Sequence, residues 1–355
     1  MLSQRVTQLV PYVAGEQPQD KRYIKLNTNE NPYPPTPRIR QFLTELDPSR
    51  LRLYPDPLSA GLREAIGDYY GLSADQVFVG NGSDEVLSFI FYAFFDPERG
   101  PVLFPQYTYS FYPVYADFYQ IPSRRIPNRP DLSIDMEAMI KAAPSACGLI
   151  FPNPNAPTGI ALPRSEIRRL LKACPSDRAI VIDEAYIDFG GESACPILNE
   201  FPNLIIVNTY SKSLCLAGMR IGFVLAHPHA IEALFRVKDS FNSYPLDRLA
   251  QEIGRIAIQD RDYYQGIRQT IRQTRTQFAH SLAAQGWELC PSLANFVFAR
   301  KPGIEGETIY REFKQAGILV RHFRTPGIQD YLRITIGLPE EMERLLETDR
   351  RLFPG

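Results

Sequence analysis

Residues 179–186, AIVIDEAY, run apolar without alternation until Asp183 and Glu184. A continuous β-branched run of this kind fits a short strand buried on both faces, as in a parallel sheet covered by helices. Similar runs lie on either side of it: VFVG (77–80), PVLFP (101–105), GLIFPNP (148–154), NLIIVNTYS (203–211) and MRIGFVLA (219–226). Between them stand LSAGLREAIGDYY (58–70) and SEIRRLLKAC (165–174), both helical in period, and the mostly apolar NGSDEVLSFIFYAFF (81–95). Ser83 or Asp84 is the expected N-cap of the last. Strands alternating with helices predict an α/β domain around a largely parallel sheet. After Pro245 the pattern changes to helical segments rich in Arg and Gln, then the short strands ANFVFAR (294–300), GILVRHF (317–323) and YLRITIG (331–337), then a closing helix. The expected organisation is an irregular arm over 1–35, a large domain over 36–245 and a smaller α+β domain over 246–355.

The bulk properties exclude several classes. With 44% hydrophobic and 22% charged residues over 355 positions, the chain has the composition of a soluble globular protein able to bury a large core. A formal net charge of -1 gives no reason to expect nucleic acid or an anionic membrane as partner. Five widely spaced cysteines, an odd number with no C-x-x-C, argue against a disulfide framework or a zinc site and for reduced thiols. The four histidines form no metal constellation; two of them, His227 and His229, flank a proline. The polar N-terminus lacks the apolar core of a signal peptide, and the most apolar run, Val86 to Phe95, is about half a membrane span. A cytoplasmic protein is the expectation. The 31 prolines concentrate in loops such as NPYPPTP and FPNPNAPTG, which they stiffen.

Three charges stand where apolar strands end. An unpaired carboxylate at Asp183 is costly if buried, although taken alone it reads as a solvated strand end. Lys212 follows the strand NLIIVNTY, and Arg220 precedes MRIGFVLA's apolar core; each alone reads as a surface cation. Together they point elsewhere, because ligands of open α/β sheets bind outside the carboxyl ends of the strands. An amine, a carboxylate and a guanidinium converging there are what pyridoxal 5′-phosphate requires: an amine for its aldehyde, an acid for its ring nitrogen and a cation for its phosphate.

The order D-E-A-Y (183–186), then S-K-x-x-x-L-A-G-x-R-x-G (211–222), resembles the fold-type-I pyridoxal-phosphate-dependent aminotransferases. N-E-N-P-Y (29–33), Y-P-D-P (54–57), G-N-G-S-D-E (80–85), A-P-T-G (156–159) and Y-L-R-I-T-I-G (331–337) follow the same order, so the likeness covers nearly the whole chain. Within that family, the arm P-Y-V-x-G (11–15), L-N-T-N-E-N-P-Y (26–33) and D-E-A-Y-I-D-F (183–189) are most similar to the histidinol-phosphate aminotransferases.

The resemblance implies a role for each matching residue. Lys212 links to the cofactor as a Schiff base and later moves the Cα proton. Asp183 pairs with the ring nitrogen, and Tyr186 donates to the phenolic O3′. Tyr109 stacks on the ring, with Tyr107 and Tyr112 close enough in sequence to be mistaken for it. Gly82, Ser83 and Asp84 form the turn whose backbone N–H groups face the phosphate at a helix start, with Asp84 capping the helix. Ser211 and Arg220 complete that site, Arg220 through its two-pronged guanidinium. Tyr54 reaches the phosphate from the neighbouring subunit of a homodimer. The family places Asn directly before P-T-G; this chain has Ala156 there, and Asn155 is expected to take the role.

Among the substrate-binding residues, the resemblance implies that Arg333 binds an α-carboxylate, Arg321 binds the distal anion, and Tyr12 and Asn31 close over the substrate. The implied reaction converts L-histidinol phosphate and 2-oxoglutarate to imidazole-acetol phosphate and L-glutamate by a ping-pong route. An aromatic aminotransferase or a threonine-phosphate decarboxylase of the same fold shares these motifs. A non-catalytic aminotransferase-like module is a remote alternative, since the Lys212, Asp183 and Arg220 set is complete.

Overall fold

The apolar runs assemble as one sheet in a computed structural model that describes residues 1–13 and 15–354. In chain order the strands are β1 (Ile24–Lys25), β2 (Val77–Asn81), β3 (Val102–Pro105), β4 (Ser123–Ile126), β5 (Gly148–Pro152), β6 (Ala179–Asp183), β7 (Leu204–Thr209) and β8 (Ile221–Ala226). They continue as β9 (Glu288–Leu289), β10 (Phe296–Arg300), β11 (Ile318–Leu319), β12 (Arg321–His322) and β13 (Leu332–Thr335). The main sheet has seven strands in the order β2-β8-β7-β6-β5-β3-β4. Only β8 runs against its neighbours. Its apolar run carries no mark of direction, because a strand buried on both faces has the same composition either way. The edge strand β4 had no signal in the sequence: Ser123, Arg124 and Arg125 are exposed, as suits a strand that must not pair further.

Residues alternate between the two faces of the sheet. In β6, Ile180 and Ile182 join one hydrophobic cluster and Val181 the other. Each such side chain, fully buried, contributes about 1.5–3 kcal/mol, which explains why the run is apolar on both faces. The amphipathic helix Arg164–Ala173 buries Ile167, Leu170 and Leu171 on one side. The helix Gly82–Phe94 buries Val86, Leu87, Phe89, Ile90 and Phe91 on the other.

Register sets what meets at the carboxyl edge. Pro152 lies opposite Asp183, Asp183 opposite Val207, Thr209 opposite Gly222 and Asn81 opposite Ile221. The ends of β2, β5, β6 and β7 and the start of β8 therefore share one rim. At that rim the helix Gly82–Phe94 begins differently from expectation. Its N-cap is Asn81, whose N–H donates to the Glu85 carboxylate at 2.7 Å; neither Ser83 nor Asp84 caps it.

A second sheet, β12-β13-β10-β9, is antiparallel throughout. The arm enters this region as a strand: β1 pairs in parallel with β11, Ile24 opposite Ile318. The helix Arg248–Gln259, placed by sequence with the small domain, packs on the helices Pro37–Glu45 and Ala60–Tyr70. We propose that the small domain's own frame starts at the next helix, Arg261–Ala284. Arg275 of that helix is buried and donates to the carbonyls of Phe189 (2.9 Å) and Ala294 (2.6 Å), fixing it to both sheets' loops.

At Gly222 the start of β8 lies close against the Gly82–Ser83 backbone. A Cβ there would lie 2.3 Å from the Gly82 carbonyl carbon and 2.4 Å from the Ser83 nitrogen. Both obstacles are backbone and cannot rotate away. Gly222→Ala is expected to destabilise the protein by about 1–3 kcal/mol in urea denaturation. Gly218→Ala, which would meet nothing within 4 Å, is expected to stay within about 0.5 kcal/mol.

Candidate active site

A cavity of about 540 Å³ opens at the shared rim, a volume suited to a small molecule. Strand ends and loops after strands line it, together with segment 27–30 of the arm.

Lys212 follows β7 and points into this cavity, its Nζ donating to the Thr28 carbonyl at 3.1 Å. Burial, and next the Arg333 guanidinium, pull its pKa down to about 8. About a tenth of the amine is then neutral and nucleophilic at pH 7, far more than for an ordinary lysine. Asp183, 5% exposed, accepts from the Ala185 N–H (3.1 Å) and the Tyr112 hydroxyl (3.0 Å). Burial pushes its carboxyl up to about 6 against those two donors. Such a group gains from a cationic partner in the cavity.

The three candidate tyrosines separate cleanly. Tyr112 is fully buried and serves Asp183. Tyr107 donates to the Pro326 carbonyl at 3.0 Å. Tyr109 alone of the three lines the cavity, its hydroxyl donating to Asp84 at 3.0 Å.

Ser83, Asp84, Ser211 and Arg220 also line the cavity. The Asp84 carboxylate, expected to cap the helix, instead pairs with Arg220 Nη2 at 2.9 Å and accepts from Tyr109. Arg220 is in the left-handed region (φ 50°), and Gly82 at φ 80° leaves room for it: a Cβ on Gly82 would sit 2.5 Å from Arg220 Nη2. Ser211 Oγ accepts from Thr209 Oγ1 at 3.0 Å.

Tyr186 accepts from Asn29 Nδ2 at 2.9 Å and, like Tyr109, lines the cavity. Arg333 and Arg321 form a cationic wall with Tyr12. Arg333 donates from Nη2 to the Asn27 carbonyl at 3.0 Å, while its buried Nε has no partner. Arg321 donates to the Val13 carbonyl at 3.3 Å, and Tyr12 packs on Phe111 with ring centroids 4.5 Å apart.

Four expected residues do not line the cavity: Gly82, which lies against Arg220, and Asn155, Asn31 and Tyr54. The Asn155 amide turns to the Tyr107 carbonyl (2.9 Å) and Thr158 Oγ1 (3.2 Å), because the bonds Asn155 N–H to Ile160 and Gly159 N–H to Asn155 close its turn away from the cavity. Ala156 faces the cavity instead. Asn31 does not line it; its Nδ2 donates to the Lys212 carbonyl at 2.9 Å and so braces the backbone of the lysine. Tyr54, 79% exposed, stacks on Tyr244 at 4.8 Å and lies outside its own chain's cavity. Sequence reasoning missed Asn29 and Thr28, although both lie within the quoted motif L-N-T-N-E-N, and it missed Thr209 two residues before Ser211.

Among the described residues, no three His, Cys, Asp or Glu side chains form a metal-binding group, and no helix is long and apolar enough to cross a membrane.

Comparison with known proteins agrees with this geometry. The chain is 57% identical over 354 residues to the histidinol-phosphate aminotransferase of Syntrophus aciditrophicus (strain SB), covering 99% of this chain and 98% of that one. It is 47% identical over 342 residues to the protein of the same name from Pseudomonas entomophila (strain L48), covering 96% and 97%. In fold it is similar to the crystal structure of histidinol-phosphate aminotransferase from Sinorhizobium meliloti in complex with pyridoxal-5′-phosphate. That match has a TM-score of 0.87 at 24% identity over 99% of this chain and 98% of that one. Residues 21–348 match the family model described as aminotransferase class I and II, and with lysine, acid and arginine brought to one rim, the chain belongs to that family.

Proposed function

We propose that the protein transfers an amino group between L-histidinol phosphate and 2-oxoglutarate, giving imidazole-acetol phosphate and L-glutamate, with pyridoxal 5′-phosphate as cofactor. The observation that carries this reading is the match, over nearly the whole length of the chain, to proteins named for that activity. The residues present fit the cofactor. Lys212 offers a partly neutral amine, Asp183 a buried carboxylate short of a cation, and Ser211, Arg220 and the N–H groups at Ser83 an anion cradle.

When bound, pyridoxal phosphate supplies an electron sink for negative charge developing at the substrate Cα. The chain's residues do the rest. Asp183 holds a proton on the ring nitrogen. Lys212 Nζ takes the proton from Cα and returns it on the other side of the transfer, as a positioned base and acid. Tyr109 covers one face of the site. The orphaned Nε of Arg333 faces the need of an incoming anion, and Arg321 adds a second cation. Two cations suit a site that must take two substrates differing in shape but both carrying anionic groups.

A homodimer and a cytoplasmic location belong to the same proposal. The exposed Leu51, Leu53, Tyr54 and Leu58 around Y-P-D-P support the first, since four large apolar side chains are left to solvent within eight residues of sequence.

The decisive experiment is an absorbance spectrum of protein reconstituted with pyridoxal phosphate, before and after adding L-histidinol phosphate with no keto acid. The visible band near 420 nm is expected to fall and a band near 330 nm to grow, positions that are approximate and set by the cofactor. A response to glutamate but none to histidinol phosphate would keep the aminotransferase and remove the substrate. Lys212→Ala is expected to lose the visible band and at least about 1,000-fold in turnover.

Asp183 predicts a conflict between stability and activity. Its folded pKa, about 6, exceeds the 3.8 of a free carboxyl. Between those values the folded chain keeps a proton that the unfolded chain releases, so stability falls as pH rises through the window. In protein stripped of cofactor, Asp183→Asn is therefore expected to be more stable than wild type above about pH 6, by roughly 2–3 kcal/mol, with the difference gone below about pH 4. The same variant with cofactor is expected to lose about 100-fold or more in turnover. Thermal melts across pH and steady-state kinetics check the two halves.

A further inference from the structure

Asn29 is buried, sits in the left-handed region (φ 57°) and engages both sheets. Its N–H donates to Thr335 Oγ1 at 3.0 Å, and Thr335 Oγ1 donates back to Asn29 Oδ1 at 3.1 Å. The Asn29 carbonyl accepts from Asn295 Nδ2 at 3.0 Å. A threonine hydroxyl has one hydrogen, and here it goes to Oδ1. That fixes the amide so that Nδ2, a donor with no acceptor character, faces the Tyr186 hydroxyl at 2.9 Å.

The consequence falls on Tyr186. Its oxygen is occupied as an acceptor, so its own hydrogen has to point away from Asn29, into the cavity that Tyr186 lines. The ring is buried and packs edge-on against Phe296 at 5.1 Å. The position before P-T-G, where an amide side chain would otherwise donate into the cavity, is Ala156, and Asn155 points elsewhere. We propose that Asn29 is a positioning residue for the reaction: by donating to Tyr186 it aims the tyrosine proton at the cofactor's phenolic oxygen and strengthens that single donor where Ala156 supplies none. This rests on the cofactor assignment of the preceding subsection. A hydrogen bond accepted from Asn29 also makes the tyrosine a better donor, because chained bonds polarise one another.

The readout is the pKa of the Nζ proton of cofactor-linked Lys212, followed by visible absorbance against pH. A donor on the phenolic oxygen draws electron density from it and makes the Nζ proton easier to lose. Asn29→Ala is therefore expected to raise that pKa by roughly 0.5–1, the size of one net hydrogen bond. Tyr186→Phe is expected to raise it further, and the Asn29→Ala/Tyr186→Phe double variant to match Tyr186→Phe alone. If Asn29→Ala folds poorly because alanine resists its φ, Thr335→Val tests the same chain of bonds. It frees the amide to rotate and is expected to give a smaller rise in the same direction. Variants that titrate as wild type, or a double variant whose rise is the sum of the singles, would overturn the proposal. A wild type that shows no visible band with pyridoxal phosphate would overturn the cofactor assignment instead, so the two failures are distinguishable.

Discussion

A carboxylate buried at the end of β6 is the constraint around which the site is arranged. Asp183 is held above its ordinary pKa by burial and is only partly compensated by Tyr112 and the Ala185 N–H. The seven-stranded sheet can tolerate this because its two hydrophobic faces carry the stability of the fold. The register that places Asp183 opposite Pro152 and Val207 also brings Lys212, Ser211 and Arg220 to the same rim. Packing fixes the frame, and the frame holds one acid where a solvated position would have been cheaper.

The second organising feature is the short segment 27–31 of the arm. Its backbone carbonyls accept from Lys212 at Thr28 and from Arg333 at Asn27, and Asn31 holds the carbonyl of Lys212 itself. Asn29 adds the link from Thr335 to Tyr186. These contacts join Lys212, which follows a strand of the large sheet, to Arg333 on the small one. The arm thus forms part of the cavity's lining, through Tyr12 as well as through residues 27–30.

Much of this was legible in the sequence because burial writes itself into composition. Runs such as AIVID and NLIIVNT must be strands covered on both sides, and charges at their ends must meet at one edge. What escaped had no such mark. The edge strand β4 is polar, β8 reads alike in either direction, and the fate of an amide depends on a turn one residue long: Asn155 and Ala156 differ by a single position and face opposite ways. Asp84 illustrates the same limit. A carboxylate at a helix start is a sound cap by propensity, but Arg220, 136 residues away, offers a stronger partner.

The pairing of β1 with β11 also bears on how the molecule comes into being. Asn29 and Thr335, which hydrogen-bond to each other, are 306 residues apart. A chain emerging from the ribosome can close the large sheet once β8 is made, since β8 joins β2 to β7, but its arm has no strand to pair with until β11, at Ile318–Leu319, has followed. Until then Lys212 has no Thr28 carbonyl fixed beside it and Arg333 does not yet exist. The order of synthesis therefore separates the closing of the large sheet from the completion of the cavity's lining.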